Sequence, residues 1–138
     1  MKTVETRLAL IHDAANRVLL ITSDKWKGYG LPGGKPEYAS EPEVETVKRE
    51  VLGETGLEIS DIVKAEEIVL PPTSQIDGST TFIVKTYFAR ADNTTVIPNE
   101  EVKSWGWFSL DDALLLPLLP PIRKTVEAYI RYCKLKQT

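Results

Sequence analysis

The chain has 138 residues, 42% of them hydrophobic and 27% charged, with a formal net charge of −3. That length holds one domain around a single core, and the acidic balance leaves no basic footprint for a nucleic acid polymer. No apolar run approaches the ~20 residues that span a bilayer, the N-terminal MKTVETRLALIHD lacks a secretory pattern, and the single cysteine forms no internal disulfide. A cytoplasmic domain without a membrane partner is the expectation.

Taken in order, Thr3 to Ile11 alternates β-forming residues, with Leu8 and Leu10 on one face. Asp13 to Asn16 supplies turn residues and Val18 to Ile21 a short apolar run, so the three read as a hairpin. His12, the one histidine, stands at the strand end. Solvation is the plain reading there, and a metal or general-base role the sharper one. The polar loop from Ser23 to Gly30 carries Trp26 and Tyr29. A ring in that loop either stacks on a nucleobase, a contact worth ~1–3 kcal/mol in single-strand binders, or covers the end of the sheet. The two readings balance for Trp26, and packing is the reading for Tyr29.

Leu31, Pro32, Gly33 and Gly34 form a side-chain-poor turn leading into a helix that starts near Ser40 or Glu41 and stops at Gly56. At ~100° per residue, Val44, Val47 and Val51 share one apolar stripe. Glu50 and Glu54 are i,i+4 neighbours along its edge, with Glu43 further back on the same line. Like charges at that spacing repel by a few tenths of a kcal/mol. A hard divalent cation reverses the sign by binding carboxylate oxygens. Glu43 and Glu45 otherwise read as a solvated surface.

Beyond the helix, Glu58 to Leu70 reads as a strand ended by Pro71 and Pro72, and residues 73–79 as a turn-rich loop. Thr80 to Ala91 is a long strand with Phe82, Val84, Thr86 and Phe88 on one face, followed by a turn through Thr95. Glu100 and Glu101 precede a strand from Val102 to Phe108. Ser109 and Asp112 mark the capped start of a short helix to about Leu116. Pro117, Pro120 and Pro121 punctuate the bend before a last helix over Ile122 to Lys134. Its stripe is Ile122, Val126, Tyr129, Ile130 and Cys133, which makes Cys133 a core residue rather than a nucleophile. This order of elements suits a mixed sheet with a helix on each face, and alone says only α+β or α/β.

The stretch from Leu31 to Leu57 resembles the Nudix box, G-x5-E-x7-R-E-U-x-E-E-x-G-U with U a bulky aliphatic residue. Glu41, Arg49, Glu50, Val51, Glu54, Gly56 and Leu57 match in register. Two positions depart from it: six residues instead of five separate Gly34 from Glu41, and Gly53 stands where the first Glu of the E-E pair belongs.

The resemblance implies the α/β/α sandwich of the Nudix fold, one domain over residues 1–138, and a Mg²⁺ or Mn²⁺ site at which water attacks a nucleoside diphosphate linked to another group. Carried over by position, Glu50 is a metal ligand and candidate base, and Glu54 the second helix ligand. Arg49 orients Glu50, Glu41 acts from behind it, the Gly34 carbonyl completes the site, and Lys35 lies near the phosphates. The family often recruits a later carboxylate, for which Glu101 is chosen over Glu100. The compact chain resembles the (d)NTP pyrophosphohydrolases of the family. Pro72, fifteen residues after Leu57, points instead to ADP-ribose or NDP-sugar cleavage, and Gly53 to a nucleotide-binding module of reduced activity. Family members are often dimers, so a homodimer stays open.

Overall fold

The computed structural model describes residues 2–72 and 79–136. Its strands are β1 (Lys2–His12), β2 (Val18–Thr22), β3 (Gly33–Gly34), β4 (Ser60–Leu70), β5 (Thr80–Arg90) and β6 (Ser104–Phe108). Its helices are α1 (Glu43–Thr55), α2 (Leu110–Leu115) and α3 (Pro120–Lys136). The strands join in one mixed sheet of order β4-β5-β1-β2-β6, with β3 also paired to β1. β1 runs parallel to β5 along its whole length, from Lys2 opposite Thr80 to His12 opposite Arg90. The other pairings are antiparallel.

Alternation along the central strands sends their apolar side chains to two cores. On one face Ala9, Ile11, Leu19, Ile21, Tyr87 and Ala89 pack beneath Val47 and Val51 of α1. On the other, Leu10, Val18, Leu20 and Phe88 meet Ala113 of α2 and Ile122, Val126 and Tyr129 of α3. Each buried Val or Leu contributes roughly 1.5–3 kcal/mol, so both layers are held largely by this apolar contact. The expected α/β/α sandwich around a mixed sheet is the architecture that forms. Leu8, Ile130 and Cys133 pack where their periodicity puts them.

Several local expectations need correction. Helix α1 begins at Glu43, with Pro42 in its cap position, rather than at Ser40 or Glu41. The reason is steric, since a residue preceding proline is pushed out of the α region, and Glu41 precedes Pro42. Val44 is 38% exposed and lies outside the core. The first turn of α1 is tied down by polar contacts instead, because Glu43 accepts from the Tyr87 hydroxyl and pairs with Lys64 and Lys85. Glu43 is therefore no bystander, while Glu45 is exposed as expected. His12 is not merely solvated, since its ring stacks on Tyr129 at 5.3 Å and burial lowers its pKa.

Strand β4 starts two residues later than the apolar pattern predicts, with Asp61 at φ 50° beside a bulge in the β4–β5 pairing. Similarly, β6 starts at Ser104 rather than Val102. Helix α3 starts earlier than expected, at Pro120, since proline fits a first helical turn that needs no N–H. Most of the loop expected over 73–79 lies outside the described residues.

Candidate active site

The glycine turn is built into the sheet. Gly33 and Gly34 pair antiparallel with Leu8 and Arg7 of β1, a short strand the sequence does not announce. Gly33 has φ +150°, and a Cβ there would lie 2.1 Å from the Arg7 carbonyl oxygen, so only glycine fits. At Gly34 a Cβ would meet the carboxyl carbon of Glu50 at 2.6 Å. The absence of a side chain is what lets that carboxylate rest against the backbone.

Helix α1 presents the rest. Its last turn closes on Gly56 in the left-handed conformation, with the Gly56 N–H donating to the Leu52 carbonyl. Glu54, 8% exposed, accepts a hydrogen bond from the Gly33 N–H at 3.0 Å. The two glycines thus meet the two helix carboxylates, one by a hydrogen bond and one by close approach. Burial pushes the Glu54 carboxyl up to about 7, and the charges of Glu50 and Glu101 add to the effect against the Gly33 N–H.

Arg49 ties Glu50 to Glu41. Its Nε and Nη2 donate to the two Glu41 carboxylate oxygens at 3.2 and 2.9 Å, and its Nη1 donates to Glu50 Oε1 at 3.0 Å. Nη2 also reaches the Lys35 carbonyl at 3.3 Å, and Nε lies 3.4 Å from Glu37 Oε2. Glu41 is 7% exposed, and the fork from Arg49, with Thr46 and the Glu37 N–H, holds its carboxyl down at about 2. The Glu41 contacts raise the Arg49 pKa in return. These expected residues are brought together by a helix that begins after Glu41, leaving its side chain free to turn back along α1.

Of the remaining candidates, Lys35 joins this group through its carbonyl and Glu101 through its charge at Glu54. Lys35 is exposed on the loop after Gly34. The Trp26 ring lies over Gly30, where a Cβ would come within 2.8 Å of it, and stays 37% exposed. Tyr29 packs edge-on against Phe108, which fits its reading as a packing residue. Glu101 is exposed, yet close enough for its charge to bear on Glu54.

Sequence reasoning missed how the Glu101 loop is held. The N–H groups of Ile97 and Asn99 donate to the carbonyls of Thr55 and Glu54, so the loop caps the end of α1. The Asn99 side chain then accepts the Glu101 N–H at 2.9 Å. An Asn two residues before a glutamate is the turn signal that marks it. Also missed were buried Arg7 and Thr46, whose contacts lead into Glu41. The one clue is a charged pair, Glu5 and Arg7, on the strand face that continues as Ala9 and Ile11.

A model of the NUDIX domain matches residues 2–129. The chain belongs to this family. Its fold is that of MutT NUDIX hydrolase from Burkholderia pseudomallei, at 25% identity and a TM-score of 0.78, covering 93% of this chain and 98% of that one. A MutT protein from Methanosarcina mazei Go1 is also 25% identical, with a TM-score of 0.77 and 96% of each chain covered. The NUDIX domain of Shewanella oneidensis NrtR, complexed with ADP ribose, shares the fold at 20% identity and a TM-score of 0.80, covering 96% of this chain and 90% of that one. No curated protein of similar sequence was found. Among NUDIX proteins this chain is a hydrolase of pyrophosphate bonds. No described helix is long and apolar enough to cross a membrane.

Among the described residues, no three His, Cys, Asp or Glu side chains stand ready to hold a metal ion. Gly53 contributes to that, for it places open space where the box has a carboxylate. The donor set nevertheless fits Mg²⁺ or Mn²⁺. Two carboxylates meet a glycine cradle that a Cβ would fill, and Mg²⁺ characteristically takes one or two carboxylates and completes its shell with water and phosphate oxygens.

Proposed function

We propose that this NUDIX protein is a Mg²⁺-dependent (or Mn²⁺-dependent) hydrolase of a nucleoside diphosphate linked to another moiety, with (d)NTPs as its substrates. The observation that carries the reading is the run of charge-assisted hydrogen bonds from Glu41 through Arg49 to Glu50, ending where Gly34 leaves room for the Glu50 carboxylate. A solvated helix gains little from such a run, because exposed ion pairs contribute about 0–1 kcal/mol. A fixed carboxylate beside a bare backbone is what a cation and a water require.

On this reading Glu50, Glu54 and the Gly34 carbonyl hold the cation, and Glu101 is the later carboxylate. Bound there, a divalent cation supplies neutralising charge to the pyrophosphate oxygens. Glu50 takes the proton of the attacking water. Arg49 fixes the direction in which Glu50 points, and Glu41 fixes Arg49 by engaging two of its donors. Lys35 draws the phosphates electrostatically, and Trp26 offers its exposed part to the base. The protein acts as one domain in the cytoplasm, on small nucleotides rather than nucleic acid polymers or membranes.

A second reading is favoured by Gly53. With one box carboxylate gone, the chain would bind a nucleotide and turn it over slowly or not at all. ADP-ribose and NDP-sugars form the third class, prompted by Pro72 and by the ligand of the Shewanella domain. One experiment separates the three: incubation with (d)NTPs, ADP-ribose and NDP-sugars plus Mg²⁺ or Mn²⁺, following products and equilibrium binding in parallel. Pyrophosphate release from (d)NTPs is the expected result. Tight binding without product would favour the module, and AMP from ADP-ribose the third class.

A further inference from the structure

We infer that Arg7 and Thr46 are positioning residues for Glu50, acting through Glu41 and Arg49; the inference rests on the role of Glu50 proposed above. Thr46 is fully buried on α1. Its hydroxyl receives a hydrogen bond from Arg7 Nη1 at 2.7 Å and donates to Glu41 Oε1 at 2.6 Å. A hydroxyl has one proton. With a guanidinium donating to the oxygen, that proton is directed at the carboxylate rather than at the Pro42 carbonyl, 3.5 Å away.

Arg7 grips Glu41 twice. Nη1 donates to the Glu41 backbone carbonyl at 2.8 Å, and through Thr46 the same nitrogen governs the Glu41 side chain. Arg7 itself is 5% exposed and pinned by Glu5 at its Nε, 2.6 Å away. Its backbone stands opposite Gly34, the residue against which Glu50 rests. Two routes therefore run from one residue of β1 to the Glu50 carboxylate. One passes through Thr46, Glu41 and Arg49, and the other through the β1–β3 pairing and Gly34. Anchoring the start of α1 would need only the backbone contact. The hydroxyl link is the part that sets where the Glu41 carboxylate, and with it Arg49, is held.

The test compares Thr46→Val, which keeps the shape and loses the hydroxyl, with Thr46→Ser, which keeps the hydroxyl. Four quantities are read: hydrogen exchange at the Arg49 Nε–H by NMR in the metal-free protein, the Mn²⁺ dissociation constant, and kcat and KM on dGTP. Thr46→Val is expected to exchange faster at Arg49 and to lose about 10–100-fold in Mn²⁺ affinity and kcat, the usual cost of removing a partner behind a metal ligand. KM should stay near wild type, and Thr46→Ser should restore all three. Wild-type exchange and wild-type Mn²⁺ affinity in Thr46→Val would overturn the inference. A wild-type protein that neither binds Mn²⁺ nor turns over nucleotides would defeat the proposed function instead, and Arg49 exchange would still decide the positioning. Should Thr46→Val fail to fold, Arg7→Lys, which keeps the charge and loses the forked donor, is read the same way.

Discussion

The Glu54 carboxyl accepts the Gly33 N–H at 3.0 Å while lying 8% exposed beside the charges of Glu50 and Glu101. Its proton affinity is raised to about 7 from an ordinary 4.5, chiefly by burial. Between those two values the folded protein keeps a proton that the unfolded chain has released. The stability this group contributes is therefore full below pH 4.5 and lost as pH rises through 7. Thermal unfolding in EDTA across pH 4–8 should show that decline, and Glu54→Gln should flatten it. Cation binding should also release a proton near neutrality, and calorimetry in buffers of different ionisation enthalpy would detect it. A pH-independent difference between the two proteins would show that Glu54 titrates normally.

Arg49 spends its Nε and Nη2 on Glu41 and its Nη1 on Glu50. A lysine ammonium cannot span both carboxylates in that planar geometry. Arg49→Lys is expected to fold normally, because the side chain is 38% exposed, and to lose about 10–100-fold in kcat. Circular dichroism checks the first expectation and steady-state kinetics the second. Unaltered kcat would remove Arg49 from the mechanism.

At Gly34 the obstacle to a side chain is the Glu50 carboxyl group, the far end of a flexible chain. Gly34→Ala should therefore leave the fold in place and displace Glu50. A drop of about 10-fold or more in Mn²⁺ affinity is expected, with little change in unfolding temperature. Large destabilisation with retained metal affinity in the folded fraction would mean that the glycine serves the β1–β3 pairing instead.

Gly53 meets no atom within 4 Å of its absent side chain. Gly53→Glu is thus sterically free, and helix propensity favours it by up to about 1 kcal/mol. The variant should fold, bind Mn²⁺ more tightly, and gain activity at limiting Mg²⁺, with the gain shrinking as the cation saturates. Weaker binding and slower turnover in a folded variant would mean that this site has adapted to the glycine.

The box was legible because its residues lie within one loop and one helix, where spacing along the chain is spacing in space. So were the faces of β1 and α3, which follow simple periods. Arg7 and Thr46 were not, since the two are 39 positions apart and meet only once the sheet register is known. Glu43 deceived for the same reason: its partners, Lys64, Lys85 and Tyr87, come from strands formed later in the chain. The true start of α1 was within reach, because Pro42 stands in the sequence and bars the residue before it from helical geometry. The departure at Gly53 was visible in the sequence, but the empty space around it was not.

The parallel pairing of β1 with β5 carries a consequence for how the chain comes to be folded. Every pair in that ladder joins residues 78 positions apart, from Lys2 with Thr80 to His12 with Arg90. Loop closure over such a distance must be paid before the contact returns anything. On the ribosome, the most apolar part of β1 emerges early and waits for β5 to be synthesised. Until then Ala9, Leu10 and Ile11, each fully buried in the finished protein, have a sheet neighbour on one side only. The glycine turn that carries the site is itself paired to this strand. Assembly of the candidate site should therefore be a late event, and refolding should be slow beside helical proteins of the same length.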